Sequence, residues 1–162
     1  MSDKPYPRGL AHVGLTVSDV DEAVDWYQDV FGFNLVLGPA TIENEGFFGD
    51  QVTDLLGEFE VMKIAHLSTG NQIGIELFEF DETEGRNEPD PHAPGLFHLS
   101  IIDPDVEGLA QRIDDNGGDA YSEVWGVNER DDEYELAYCK DPWGNMIEVF
   151  SHSNERIYSN QE

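Results

Sequence analysis

Basic residues are scarce. Eight lysines and arginines stand against 35 aspartates and glutamates, for a net charge of −27 in 162 residues. Lysine occurs only as Lys4, Lys63 and Lys140. A chain with so little positive charge repels nucleic acid and anionic membranes, so neither is an expected partner. It also repels itself. At molar salt the Debye length falls to roughly 3 Å, which screens that repulsion. The acids are spread along the whole chain, and the composition points to a salt-loaded cytoplasm. Cys139 is the only cysteine, so no internal disulfide is possible. It sits in the apolar run Leu136-Ala137-Tyr138-Cys139 and reads as a buried, inert thiol. Long hydrophobic runs are missing too, which leaves no transmembrane helix. Met1 to Arg8 is polar and lacks an apolar signal core, so the expected location is cytoplasmic.

The apolar residues that are present repeat in order. Placing His12 over His98 puts His12-Val13-Gly14-Leu15 over His98-Leu99-Ser100-Ile101, and Asp19-Val20 over Asp105-Val106. Gly32 then meets Gly118. Each copy holds a short strand, an amphipathic helix and a glycine stop. The first helix carries Val20, Ala23, Val24, Tyr27 and Phe31 at helical spacing, with Ser18 as its expected cap. The second carries Val106, Leu109, Ala110 and Ile113, with Pro104 suited to its first turn. Strand-like segments follow: about 35–37, 59–66 and 72–80 in copy one, and about 121–125, 134–140 and 146–150 in copy two. The expected fold is α+β, two tandem βαβββ modules in a single domain over 1–162. Module one covers about 8–80, a linker rich in Pro, Glu and Asp about 81–94, module two about 95–152, and a tail 153–162. Residues 38–58 are extra in copy one, where Val52, Leu55 and Leu56 predict a short helix beside the site.

Strand alternation isolates four polar side chains. His12 opposes Ala11, Val13, Leu15 and Val17; His98 opposes Phe97, Leu99 and Ile101. Glu76 opposes Ile73, Ile75 and Leu77, and Glu148 opposes Ile147 and Val149. A carboxylate in an apolar strand is costly unless something compensates it. Two imidazoles and two carboxylates at matching places in two copies make a good set for one divalent cation. The metal ligands are therefore expected to be His12, Glu76, His98 and Glu148. His66 and His92 read as solvated, His152 as following the last strand, and Asp141-Pro142-Trp143-Gly144-Asn145 as a turn with Trp143 near the pocket mouth. Phosphate-binding glycine loops and a Gly-x-Ser-x-Gly elbow are absent.

His12-Val13-Gly14-Leu15-Thr16-Val17, Ile75-Glu76-Leu77-Phe78, Phe97-His98-Leu99 and Asp141-Pro142-Trp143-Gly144-Asn145-Met146-Ile147-Glu148 together resemble the vicinal oxygen chelate superfamily. That group includes glyoxalase I, methylmalonyl-CoA epimerase, extradiol dioxygenases and bleomycin-resistance proteins. The resemblance implies paired βαβββ modules cupped around a metal, often in a homodimer, with a small-molecule substrate. Glyoxalase I supplies two His and two Glu in this order, whereas extradiol dioxygenases lack a ligand at the position of Glu76. The full set implies a glyoxalase I-like isomerase or lyase using one divalent ion (Zn, Ni, Co, Mn or Fe). A ring-cleaving dioxygenase and a non-catalytic binding protein are the alternatives. By resemblance the ion polarises vicinal oxygens while a glutamate moves a proton at the adjacent carbon through an enediolate. Glu148 is the first choice of catalytic base and Glu76 the second. The chain departs from glutathione-using enzymes at two positions. Thr16 stands where an arginine is usual, and Phe80 where an asparagine is common.

Overall fold

The computed structural model describes residues 6–83, 85–128 and 131–159. The chain forms two compact units, Met1–Thr83 and Glu84–Glu162. Each holds a four-stranded mixed sheet with helices, the α+β arrangement of two βαβββ modules.

In the first unit β1 (His12–Thr16) leads into α1 (Val20–Phe31), which is followed by β2 (Asn34–Glu43), α2 (Gly46–Leu56), β3 (Val61–Ser68) and β4 (Gly74–Phe80). The sheet order is β1-β4-β3-β2, and β1 runs parallel to β4. The helix α1 buries Val20, Ala23, Val24, Trp26, Tyr27 and Val30 against the face carrying Ile75 and Leu77. Asp19, not Ser18, caps α1: its carboxylate accepts from Glu22 N at 2.9 Å. Asp19 occupies the last extended residue, so its short side chain reaches the free amides of the first turn, an arrangement worth about 1 kcal/mol. Gly32 ends the helix in a left-handed conformation, φ 67°.

The strand β2 is much longer than the expected 35–37. Pro39 lies where the register with β3 shifts between Leu37 and Ala40. A residue without an N–H is tolerated at such an irregularity, and pairing resumes beyond it. The extra segment does form the helix α2. Of its three expected apolar contacts only Val52 is buried, packed with Phe59 and Met62 beside Phe78 and Phe80; Leu55 and Leu56 are exposed.

In the second unit β5 (Leu99–Ile102) precedes α3 (Val106–Asp115), β6 (Trp125–Asn128), β7 (Asp131–Lys140), β8 (Met146–Phe150) and α4 (Asn154–Tyr158). The order is β5-β8-β7-β6, again with the first and last strands parallel. The strand β6 starts where the expected 121–125 segment ends, while residues 119 and 122 still join this sheet through bonds to Lys140 and Tyr138. Asp105 caps α3 by accepting from Gly108 N at 3.0 Å. The tail docks as a helix, with Ile157 buried. The segment read as a linker is tied down within its unit. Asn87 N donates to Trp143 O at 2.7 Å, and Asn87 Nδ2 to Asn145 Oδ1 at 3.2 Å. Asp141, fully buried, accepts from Asn145 N at 2.7 Å and from Asn145 Nδ2 at 2.8 Å. Trp143 is buried in this turn, not placed at an open mouth. Burial pushes the Cys139 thiol up to about 11, with Asp119 and Asp114 adding to it, so the thiolate is suppressed at neutral pH.

The acids have few cations to meet. Lys63 lies 2.8 Å from Asp21 and 3.7 Å from Glu79, and Lys140 lies 3.4 Å from Glu88. The hydrogen bond to Asp21 raises the Lys63 ammonium above its ordinary value. With 27 negative charges in excess, stability should rise with salt as acid–acid repulsion is screened. Thermal melts in low and molar KCl check this. A melting temperature that stays level or falls would remove the salt-adapted reading.

Candidate metal centre

Each glutamate faces a histidine of its own unit. In the first, β1 and β4 run side by side with His12 opposite Gly74 and Gly14 opposite Glu76. That register puts His12 and Glu76 diagonally on one face. Their side chains meet, His12 Nε2 to Glu76 Oε2 at 3.3 Å. The Glu76 side chain is 19% exposed and that of His12 54%. In the second unit His98 sits just before β5 and reaches Glu148 on β8, Nε2 to Oε2 at 3.7 Å. Here both side chains are more enclosed, at 28% and 12%. The parallel first-to-last strand pairing builds the same couple twice.

His66 corrects the sequence reading. It does not end a strand in solvent. It lies within β3, directly across from Glu76, with Nδ1 3.3 Å from Oε1. The two oxygens of Glu76 therefore face two imidazoles, His12 on one side and His66 on the other. In the second unit Tyr138 on β7 is directly across from Glu148. Burial first, then the neighbouring Glu148 carboxylate, push the Tyr138 hydroxyl up to about 12. Neither residue was singled out from sequence. One signal was available: His66 precedes Glu76 by ten residues, as Tyr138 precedes Glu148.

Each couple offers one imidazole and one carboxylate, donors of the kind that divalent cations take. His98 Nδ1 is buried and has no hydrogen-bond partner. Such an atom is costly to leave alone. Among the described residues no group of three or more His, Cys, Asp or Glu is gathered closely enough to grip an ion as it stands. The histidines face their glutamates as hydrogen-bonding or ion-pairing couples. His92 lies elsewhere, its backbone N–H on Asp90. His152 bonds Ser151 through Nδ1 at 3.0 Å.

The sequence pattern of the Glyoxalase/Bleomycin resistance protein/Dioxygenase superfamily matches residues 9–149. The chain belongs to that superfamily. A 2-epi-5-epi-valiolone epimerase from Actinomyces sp. is 29% identical over 161 residues, covering 93% of this chain and 84% of the epimerase. The crystal structure of a glyoxalase family protein from Bacillus cereus superposes with a TM-score of 0.71 at 23% identity, covering 93% and 98% of the two chains. Glyoxalase I from Zea mays gives a TM-score of 0.62 at 21% identity, with 90% of this chain matched to 45% of that one. These structures share the superfamily's fold. Phe80, at one of the two positions where glutathione-using members of the superfamily carry a polar residue, stacks on Phe78 beside the Val52 cluster. That position offers no hydrogen-bond donor.

Proposed function

We propose that this member of the superfamily is a metal-dependent epimerase or isomerase. It moves a proton at the carbon beside a carbonyl in a small hydroxylated ketone. The observation that carries this reading is the repeated couple, His12 with Glu76 and His98 with Glu148, built at the same strand positions of two units. Superfamily members that only bind ligands have no need of four such donors. The similarity to a 2-epi-5-epi-valiolone epimerase favours this over ring cleavage. The absence of an arginine at Thr16 and of a polar side chain at Phe80 argues against a glutathione adduct as substrate.

His12, Glu76, His98 and Glu148 would hold one divalent ion. When bound, that ion polarises the substrate's vicinal oxygens and so acidifies the adjacent C–H. Glu148 takes that proton: the C–H bond breaks, its electron pair moves toward the carbonyl, and the carboxyl later returns a proton to the same carbon. A proton delivered instead by a second acid to the opposite face of that carbon inverts the centre, and the carboxyl then releases its own proton to solvent.

Incubating cobalt-loaded protein with hydroxylated cyclic ketones in D2O tests the reading. Deuterium should enter at the carbon next to the carbonyl, at a rate that depends on the ion. Binding without exchange would turn the reading toward a ligand-binding member. Oxygen uptake with ferrous ion would replace it with a dioxygenase.

A further inference from the structure

The two glutamates share a feature that the ligand set does not use. Each is faced, from the neighbouring strand, by one polar side chain at the same place in the repeat: His66 opposite Glu76 and Tyr138 opposite Glu148. Tyr138 is the more fully built. It lies directly across the ladder from Glu148, whose carboxylate, after burial, helps to keep the phenol protonated. Its ring stands edge-to-face on His98, with centroids 5.7 Å apart at 89°, and lies 6.3 Å from Trp125. Its backbone N–H is pinned by Ser122 Oγ at 2.8 Å. Tyr138 thus faces both members of the second couple and is itself held on three sides.

A carboxylate has two oxygens and rotates freely unless something holds it. A donor on one oxygen sets the plane of the group and leaves the other oxygen aimed. We propose that Tyr138 is a positioning residue for Glu148, donating its hydroxyl to one carboxylate oxygen so that the other is presented to a cation and then to the substrate C–H. His66 stands in the same relation to Glu76, Nδ1 toward Oε1. This inference rests on the reading of the two couples as metal ligands.

The two arms differ chemically. A phenol only donates to a carboxylate, whereas an imidazole can donate or accept according to its tautomer. Glu148 is therefore faced by a donor that always carries its proton, and Glu76 by one that donates only in the tautomer with hydrogen on Nδ1. If Tyr138 were only filler between His98 and Trp125, phenylalanine would replace it without loss.

The test is Tyr138→Phe, which keeps the ring and removes only the oxygen. Its melting temperature should stay near the parent's. Cobalt affinity, measured by calorimetry on the full chain, should fall on the order of 10- to 100-fold, the usual effect of removing a partner of a ligating group. The visible absorption of the bound cobalt should change as Glu148 loosens. A second readout needs no metal. With tyrosine labelled at 13Cζ, the Tyr138 resonance, assigned by its loss in Tyr138→Phe, should move when Glu148 becomes Gln. Tyr138→Phe protein with parental cobalt affinity and spectrum overturns the proposal, as does a resonance indifferent to Glu148→Gln. A parent that binds no cobalt, with a resonance that does move, leaves the hydrogen bond standing. The metal reading then fails, and the positioning role fails with it.

Discussion

Cobalt binding should disappear when His98 is replaced by alanine. Of the four expected ligands His98 is the histidine most enclosed, and the structure leaves its buried Nδ1 without a partner. The imidazole is held against Glu148 through Nε2 at 3.7 Å, longer than a good hydrogen bond. A protein that encloses an imidazole without satisfying it accepts a cost of roughly 1–3 kcal/mol for the stranded group. Calorimetry should show about one ion per chain for the parent and no stoichiometric binding for His98→Ala. His92→Ala, a change on the far side of the sequence pattern, should bind as the parent does. Equal affinity of parent and His98→Ala would show that the four residues are not the ligand set.

Glu148→Gln should lower the rate of proton exchange on the order of 10² to 10⁴ under metal saturation, the usual share of a general base. The amide keeps the shape of the carboxylate, can still ligate weakly through oxygen, and cannot take a proton. The fold should survive, because Glu148 lies on the polar face of β8 while Ile147 and Val149 make the buried contacts. Metal binding should weaken without vanishing. Near-parental turnover at saturation would move the base elsewhere, with Glu76 next in line. The two glutamates differ enough for the distinction to be measured: Glu76 is faced by two imidazoles, and Glu148 by one imidazole and a phenol.

Alternation along β4 and β8 made the glutamates legible in the sequence, because an isolated carboxylate among aliphatic residues has only one face to occupy. The two helices were legible for a related reason: their apolar residues follow the helical period and are the ones that end up buried. The cross-strand partners were harder to see. An apolar run that opens at Phe59 makes His66 a strand end, whereas β3 begins and ends two residues later, at Val61 and Ser68. That shift moves His66 from a boundary to the centre of a ladder. Tyr138 was hidden in an apolar run, where an aromatic ring looks like core. Pairing register, which brings β3 beside β4 and β7 beside β8, depends on turn geometry and long-range packing, and a local pattern does not carry it. The length of β2 was hidden as well, because pairing with β3 resumes beyond the register irregularity between Leu37 and Ala40.

The parallel pairing of first and last strands has a kinetic consequence. Each His–Glu couple joins the two ends of its unit, so it forms only after the intervening helix and hairpin have brought β1 to β4, or β5 to β8. Such non-local closure is late and slow compared with helix formation. An ion that needs these couples has little to hold in the unfolded or half-folded chain, so its binding free energy goes to the finished unit alone. At a concentration one hundred times its dissociation constant, that amounts to about 2.7 kcal/mol of added stability. The site would then act as a latch on its own completion, with cation supply setting how long each unit stays closed.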